Sequence, residues 1–349
     1  MGMRVVVLGA TGNVGTSVVQ ALVLDDEVES VVGVARRSPD WHPEKVEWVP
    51  ADITSSDLTS VLADADAVVH LAWAFQPSHD PVTTWRVNVV GSDRVLDAVA
   101  RSGVPVLVYA SSVGAYSPVS SSPSAEERLV DESWPTHGWS PAAYCREKAY
   151  VERLLDRFEL ERPQCRVVRM RPCFLFKPEA APEQRRIFAG PLVPERLVGR
   201  LRLPVVPDLP GLAFQAMHTA DAAAAYALAI RADVRGAFNL AAEPVVDGEV
   251  LTASFGGRAV RVPVAPVRAM LAGAWHARLS PAAPDLFDFV LRMPLMNTAR
   301  ARTELGWTPA HSSVEAIDAF RAGLRSGRGF PTPPLQRSGN RLKEFAAAG

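Results

Sequence analysis

The sequence is poor in the features that mark disulfide-rich and metal-binding proteins. It has three cysteines in 349 residues, Cys145, Cys165 and Cys173, an odd number without a C-x-x-C pair. This usage argues against a disulfide framework or a cysteine zinc site and is typical of reduced thiols. The seven histidines are scattered without ligand spacing, so no metal site is predicted.

Long apolar runs and an excess of one charge are also missing. The first apolar run, residues 5–8, ends at Gly9 and is too short for a secretory signal, and no later run is long enough to span a bilayer. The 37 basic and 38 acidic residues give a net charge of −1 without a basic cluster. Nucleic-acid and membrane partners are therefore not expected. The sequence predicts a cytoplasmic protein that acts on a small molecule.

Short β-branched runs alternate with helical patterns through the first half of the chain. Such alternation predicts an α/β fold with a doubly wound parallel sheet of the Rossmann type. The predicted strands are residues 4–8, 31–35, 46–49, 67–71, 104–110 and 166–170, and the helices between them are 14–24, 58–62, 82–101 and 142–161.

The pattern changes after Pro172, where prolines crowd residues 172–210 and the alternation is lost. We expect a dinucleotide-binding domain over 1–172 and a smaller mixed substrate-binding domain over 173–327 that partly returns to the sheet. Residues 328–349, rich in glycine, proline and basic residues, are expected to form a loose tail.

A glycine-rich turn follows the first predicted strand. Gly9, Gly12 and Gly15 stand in "GATGNVG", between that strand and the first helix. Glycines there permit a tight turn and let the backbone approach a pyrophosphate, which the helix N-terminus then faces. The sequence therefore predicts a bound dinucleotide.

The end of the second strand bears on which dinucleotide is bound. NAD binders usually place an acidic residue there for the ribose 2′-hydroxyl, whereas this strand ends in Ala35, Arg36 and Arg37. Arginine suits a 2′-phosphate, so NADP is predicted, with NAD as the alternative. A pair of solvated surface arginines is the competing explanation. Asp52, after the third strand, is either an acceptor for the adenine amino group or a cap of the next element.

Tyr144 and Lys148 stand four residues apart on a predicted helix. This spacing places both side chains on one helix face, where a lysine charge favours the phenolate. Beside a bound dinucleotide, such a pair is suited to passing a proton to or from a carbonyl oxygen.

The chain resembles the extended short-chain dehydrogenase/reductase superfamily, in its NAD(P)-dependent epimerase/dehydratase group. The resemblance rests on motifs that occur in order over most of the chain. They are "GATGNVG" at 9–15, "AD" at 51–52, "VVHLAW" at 68–73, "VNVVGS" at 87–92, "VYASSVGAYS" at 108–117, "YCREK" at 144–148, "RP" at 171–172, "HTADAAAA" at 218–225 and "ELGWTP" at 304–309.

This resemblance implies roles for particular residues. Tyr144 would be the acid/base, Lys148 would lower its pKa and hold the nicotinamide ribose, and Ser112 would hold the substrate oxygen, with Ser111 as the neighbouring candidate. Asn88 would support the active-site region, and the two helices 82–101 and 142–161 would pair in a homodimer. The predicted cofactor contacts are Gly9, Thr11, Gly12, Asn13, Val14, Gly15, Arg36, Arg37, Asp52, Ile53, Leu71, Ala72, Trp73, Tyr144 and Lys148.

Other aromatic and histidine side chains allow two interpretations. Trp73, Phe75, Trp134 and Trp139 line a substrate pocket, or they serve as core packing or loop anchors. His70, like His218, is expected to be structural.

The sequence departs from the sugar-nucleotide members where they contact substrate. Phe174 replaces an asparagine after the sixth strand, and Phe214, Gln215 and Ala216 occupy a segment that commonly carries a diphosphate-binding arginine. The nearby arginines, which are able to compensate, are Arg185, Arg186, Arg196, Arg200 and Arg202.

We therefore predict an NADP-preferring oxidoreductase that transfers a hydride at a carbonyl or hydroxyl carbon of a small organic substrate. A nucleotide-sugar epimerase is the alternative within the fold. A non-catalytic NADP-sensing protein is the alternative of another class.

Overall fold

The computed structural model describes residues 2–76, 78–119, 128–188 and 205–336. Its strands are β1 (Met3–Leu8), β2 (Val28–Ala35), β3 (Val46–Pro50), β4 (Ala67–His70), β5 (Val106–Ala110), β6 (Leu129–Val130), β7 (Arg166–Pro172), β8 (Phe174–Phe176), β9 (Val205–Asp208), β10 (Ala216–His218), β11 (Gly236–Leu240), β12 (Arg258–Arg261) and β13 (Leu295–Met296).

Helices surround these strands in the same chain order. They are α1 (Asn13–Val23), α2 (Thr59–Leu62), α3 (Pro81–Trp85), α4 (Gly91–Ser102), α5 (Ala143–Glu161), α6 (Ala181–Phe188), α7 (Thr219–Arg231), α8 (Gly248–Phe255), α9 (Val264–His276), α10 (Pro284–Val290), α11 (Ala299–Glu304) and α12 (Ser313–Ser326). A π-helical turn spans Arg86–Val90, and 3₁₀ turns span Val113–Ala115 and Pro178–Ala180.

The central sheet has seven strands in the order β11-β7-β5-β4-β1-β2-β3. Every neighbouring pair in it is parallel. The chain leaves β1 towards β2 on one side and returns to β4 on the other, so the strand order reverses at β1. This reversal opens a crevice at the carboxyl ends of β1 and β4, the usual ligand position in such sheets. The predicted doubly wound, Rossmann-type fold is confirmed.

Both faces of the sheet are buried, as expected for parallel strands covered by helices. Along β1, Val5 and Val7 enter one apolar cluster, whereas Val6 and Leu8 enter the other. Helix α7 packs against α1 on the first face. The strands therefore hold the turn after β1 in a fixed place.

The seventh strand comes from beyond the expected domain boundary. β11 pairs with β7, and its Phe238 and Leu240 are fully buried. Residues 236–240 thus belong to the central sheet, although they follow the expected boundary at residue 172.

The single helix predicted over 82–101 is instead α3, the π-helical turn and α4 in succession. Asp80 starts α3, because its carboxylate accepts a hydrogen bond from the Thr83 amide at 3.1 Å. The π-helical turn contains Asn88, which is fully buried. Such turns hold an extra residue and are frequent at functional sites.

The prediction of a loose tail does not hold for residues 328–336. Thr332 and Leu335 are fully buried, and the Phe330 amide donates to the Leu335 carbonyl at 2.9 Å. Glycine and proline here form a packed turn rather than a free end. Residues 337–349 lie outside the described residues.

In the described part of the chain, no helix combines the length and apolarity needed to cross a bilayer.

Candidate active site

The glycine turn after β1 has the geometry that a dinucleotide requires. Gly9 has a positive φ of 84°, and a Cβ on Gly15 would lie 2.2 Å from the Gly9 carbonyl oxygen. Helix α1 starts directly after Gly12, and the first amides of a helix have no partner within it. Asn13 donates through Nδ2 to the Leu175 carbonyl at 3.2 Å, while its buried Oδ1 has no partner in the described structure. The close glycine turn and the free amides at the start of α1 fit a pyrophosphate.

A cavity of about 250 Å³ joins this turn to the predicted catalytic residues. Ser112, Tyr144 and Lys148 line it, as do Leu71, Trp73 and residues 12–15. Its remaining wall is mainly apolar and includes Phe75, Phe174, Phe188, Leu286, Phe289 and Met293. The structure thus brings the tyrosine, the lysine, the serine and the turn into one space.

Aromatic side chains fix the ring of Tyr144. Phe75 stacks on it with centroids 5.3 Å apart at 15°, and Trp73 meets it edge-on at 5.9 Å. On the other side, a Cβ on Gly114 would lie 2.6 Å from Tyr144 Cε1. Only glycine at 114 permits this ring position. Of the four aromatic pocket candidates, Trp73 and Phe75 therefore line the cavity.

The pKa of Tyr144 shifts in the direction opposite to the sequence expectation. Burial raises it above its ordinary value, and the hydrogen bond with Ser112 opposes this only in part. Burial also lowers the pKa of Lys148 to about 7. Lys148 Nζ donates to the Ala110 carbonyl at 2.7 Å and lies 3.5 Å from the centroid of the Trp73 ring. With this lowered pKa, Lys148 is only partly charged near neutral pH, and its amino group bonds the Ala110 carbonyl. The phenol of Tyr144 therefore stays protonated at neutral pH.

The two serine candidates differ in their partners. Ser112 Oγ accepts a hydrogen bond from the Gly114 amide at 3.0 Å and bonds Tyr144. Ser111 Oγ instead donates to the buried carboxylate of Glu152 at 2.6 Å. Of the two hydroxyls, that of Ser112 is the one paired with the tyrosine.

Asn88 connects the segment 73–75, which carries Trp73 and Phe75, to helix α5. Its Oδ1 accepts from the Ala74 amide at 2.7 Å, and its Nδ2 donates to the Ala74 carbonyl at 2.8 Å and to Glu147 Oε2 at 2.7 Å. Ala74 lies between Trp73 and Phe75, and Glu147 lies between Tyr144 and Lys148 in the sequence. Asn88 does not line the cavity. It supports the residues that do.

Several predicted cofactor residues lie outside the cavity wall. Arg36 and Arg37 are exposed at the end of β2, and the buried Ile53 packs in the core with Ala72 against its edge. Burial alone would raise the pKa of Asp52, but hydrogen bonds from Thr54 and the charge of Arg36 lower it. The Asp52 carboxylate accepts from the Thr54 amide at 2.8 Å, so it stabilises its own turn. Thr11 is buried in the glycine turn.

The histidines and the remaining tryptophans have structural contacts. His70 bonds Ser92 Oγ at 3.0 Å, and His218 accepts from the Ala220 amide at the start of α7. Trp134 Nε1 donates to the Ser117 carbonyl at 2.9 Å and anchors a loop, while Trp139 packs against the core.

Sequence reasoning missed Glu183, the acidic side chain of the cavity wall. It lies on α6, in the proline-rich stretch where no periodicity was readable, and burial raises its pKa to about 7. No local signal distinguishes it from the other carboxylates of the second half.

The departures from the sugar-nucleotide pattern have apolar or structural contacts. Phe174 and Phe214 meet edge-on at 5.3 Å, and Gln215 exchanges two hydrogen bonds with the Met296 backbone. Ala216 is buried in β10, Arg185 is buried, and Arg186 donates to the Pro334 carbonyl at 2.6 Å. Arg196, Arg200 and Arg202 lie outside the described residues.

The family is shown by a direct comparison. The model of the NAD dependent epimerase/dehydratase family matches residues 5–241, and the chain belongs to this family. This is the epimerase/dehydratase group that the ordered motifs predicted.

The individual proteins that the chain resembles have low sequence identity to it. A UDP-glucose 4-epimerase of Mycolicibacterium smegmatis is 27% identical over 331 residues, covering 90% of this chain and 96% of that protein. An uncharacterised Mycobacterium tuberculosis protein is 25% identical over 94% of this chain, which spans only 31% of that relative's length. The Thermus thermophilus UDP-glucose 4-epimerase, solved with NAD, has a TM-score of 0.67 at 19% identity, covering 93% and 99% of the two chains. This last likeness concerns the fold.

Proposed function

We propose that the protein transfers a hydride at a carbonyl or hydroxyl carbon of a small, largely apolar substrate. One observation carries this proposal. A single cavity is lined by Ser112, Tyr144, Lys148 and the glycine turn, with an apolar wall opposite them.

In this proposal, Tyr144 exchanges a proton with the substrate oxygen. Its raised pKa keeps the phenol protonated near neutral pH, so it is suited to giving a proton to a carbonyl oxygen during reduction. Ser112 Oγ donates a hydrogen bond to the same oxygen and holds it near the phenol. Lys148 lies one helical turn from Tyr144 and carries the ribose-binding role that the family resemblance implies. A bound nicotinamide dinucleotide supplies the hydride donor or acceptor.

The charge of the cavity wall favours an apolar substrate. Within the described ranges, Lys148 is the one basic side chain that lines the cavity, and Phe174 stands where sugar-nucleotide members carry asparagine. A diphosphate requires fixed positive charge with directed hydrogen bonds. The aromatic and aliphatic wall offers instead the burial of an aryl or alkyl group.

For the cofactor we propose NADP, with NAD as the alternative. Arg36 and Arg37 are exposed directly after β2, where an NAD binder would carry a carboxylate. The family description and the Thermus neighbour both name NAD. Fluorescence titration with NADPH and NADH tests this. We expect Arg36→Ala to weaken NADPH binding and leave NADH binding unchanged, and equal affinities in both proteins would reject the proposal.

A nucleotide-sugar epimerase is the second candidate. The mycolicibacterial UDP-glucose 4-epimerase aligns over nearly its whole length, which favours this reading. In that case the dinucleotide would be retained, and no net cofactor change would accompany turnover.

One experiment separates the candidates. Purified protein is supplied with NADP(H) or NAD(H) and a panel of aryl and alkyl ketones, the matching alcohols, and UDP-sugars. Cofactor absorbance follows oxidoreduction, and product chromatography follows epimerisation. We expect turnover of a ketone or alcohol, lost by about 10²–10⁴-fold in Tyr144→Phe with cofactor affinity unchanged. Full activity of Tyr144→Phe would reject the mechanism, and UDP-sugar epimerisation alone would select the second candidate.

We also propose the homodimer that the resemblance implied. The π-helical turn and α5 present large exposed apolar side chains, with Val90 and Tyr150 each 45% exposed. Light scattering after gel filtration tests this, and a monomer at micromolar concentration would reject it.

A further inference from the structure

Residues 328–336, here called the strap, contact the glycine turn directly. The buried Thr332 hydroxyl donates to the Thr11 carbonyl at 2.9 Å. Thr11 lies between Gly9 and Gly12, so this bond fixes the backbone of the turn itself.

The strap also contacts the segment that follows β2. Phe330 meets Trp41 edge-on with centroids 4.9 Å apart. Trp41 is held from the sheet side, because Trp48 Nε1 donates to its carbonyl at 2.7 Å. Arg36 and Arg37 lie on the same segment, between β2 and Trp41.

A buried lysine connects the strap to helix α1. Lys177 Nζ lies 5.9 Å from the centroid of the Phe330 ring. It donates to Thr16 Oγ1 at 2.5 Å and to Ser17 Oγ at 3.1 Å, both on the first turns of α1. The strap, the lysine and the helix therefore form one continuous packed unit.

Helix α6 and the 3₁₀ turn before it, on the side of the substrate cavity, also contact the strap. Arg186 of α6 donates to the Pro334 carbonyl at 2.6 Å, and Arg328 pairs with Glu179 at 3.1 Å. The same helix α6 contributes Glu183, Ile187 and Phe188 to the cavity wall. The strap thus links the wall of the substrate cavity to the dinucleotide turn.

We propose that the strap is part of the dinucleotide site and slows the release of the bound dinucleotide. Thr11 and Trp41 follow the carboxyl ends of β1 and β2, the region in which such sheets hold the adenosine ribose. A dinucleotide that leaves this region requires the turn and the Trp41 segment to loosen, and the strap contacts oppose that loosening. The inference rests on the proposed dinucleotide-dependent function, for which release of the dinucleotide then becomes a slow step.

The test measures the dissociation rates of NADPH and NADH by stopped-flow displacement in the full-length protein. Thr332→Val removes the hydroxyl at nearly constant volume, and Phe330→Leu removes the aromatic contact. Gln336→Ala is the matched control, because its side chain is exposed and Arg186 uses only its carbonyl. We expect either strap variant to release the dinucleotide about tenfold faster, and the control to match the wild type.

A further readout separates this role from general destabilisation. The melting temperature of the dinucleotide-free protein is measured for each variant, and faster release in a variant that melts within about 2 °C of the wild type is a local effect. Phe330→Leu is the second variant, which serves if Thr332→Val folds poorly. A wild type that binds dinucleotide, with strap variants that release it at the wild-type rate, would overturn this inference alone. A wild type that binds neither dinucleotide would overturn it together with the proposed function.

Discussion

Helix α5 carries two sets of side chains that are held in different ways. Tyr144 and Lys148 face the cavity, where the tyrosine bonds Ser112 and the lysine bonds the Ala110 carbonyl. Glu147 and Glu152 face inward, and their carboxylates have several charged or polar partners. We call these the reacting side and the support side.

The support side has the denser bonding. Glu152 is fully buried and pairs with Arg169 at 2.9 Å and with Arg171 at 3.0 Å. These partners lower its pKa to about 2, although burial alone would raise it. Changes on the support side should therefore affect folding first, whereas changes on the reacting side should affect rate first.

The largest expected effect is on the support side. Glu152→Gln removes the carboxylate that pairs with the buried Arg171, whereas Arg169 keeps its pairs with Asp156 and Glu159. Because Arg171 is left buried without this countercharge, we expect a loss of about 3–5 kcal/mol in the free energy of unfolding. Urea unfolding measures this. Glu161→Gln is the control, because its pair with Arg157 is exposed and 3.8 Å long. A loss below about 1 kcal/mol in Glu152→Gln would remove the distinction between the two sides.

The adjacent serines provide the sharpest comparison. Ser112→Ala is expected to lower turnover by about 10²-fold, because it removes a hydrogen bond to the reacting oxygen. Its loss of stability is expected to stay near 1 kcal/mol, because Ser112 Oγ also accepts from the Gly114 amide. Ser111→Ala is expected to lose about 1.5–3 kcal/mol of stability, because its partner is a buried carboxylate, and to keep most of its turnover. Steady-state rates and urea unfolding measure both. The reverse pattern would exchange the roles of the two hydroxyls.

The smallest expected effect concerns pH. Burial lowers the pKa of His70 to about 3, below its ordinary value of 6.5. The unfolded chain then binds the proton that the folded chain excludes, so stability falls as pH falls from 6.5 towards 3, by at most about 1.4 kcal/mol per pH unit. Unfolding is measured at pH 6.5 and pH 5 in the wild type and in His70→Gln. The raised pKa of Glu183 contributes a slope of opposite sign in this range, but it does so in both proteins. The wild type is therefore expected to lose more stability between the two pH values than His70→Gln. Equal slopes would place the titration elsewhere.

Local patterns predicted where the glycine turn and the Tyr144–Lys148 pair lie, whereas the expected cofactor contacts Arg36, Arg37 and Asp52 do not line the cavity. The glycine turn needs only a strand, three glycines and a helix in register, and the structure has all three there. The helical spacing of Tyr144 and Lys148 placed them on one face, and the family motif selected the serine that bonds the tyrosine. These features depend on neighbours within a few residues.

The substrate half was not readable in the same way. Phe188, Phe289 and Met293 line the same cavity as Tyr144, although they come from segments that are distant in sequence. No periodic pattern in the sequence indicates that they lie together in the cavity wall. The pKa of Tyr144 followed the burial supplied by this wall rather than the lysine one turn away. Composition alone suggested a free end at 328–336, because a buried threonine in a Gly/Pro stretch is recognisable only from its partner.

The bond between Thr332 and Thr11 has a consequence for the order of events during synthesis. Its partners are separated by 321 residues. At about 5–20 residues per second, a ribosome makes the second partner roughly 15–60 s after the first. The sheet around β1 has time to assemble before that bond forms. The hydrogen bond from Thr332 therefore restrains the glycine turn only late in folding. In a nascent chain that stops before the strap, the glycine turn should lack this restraint.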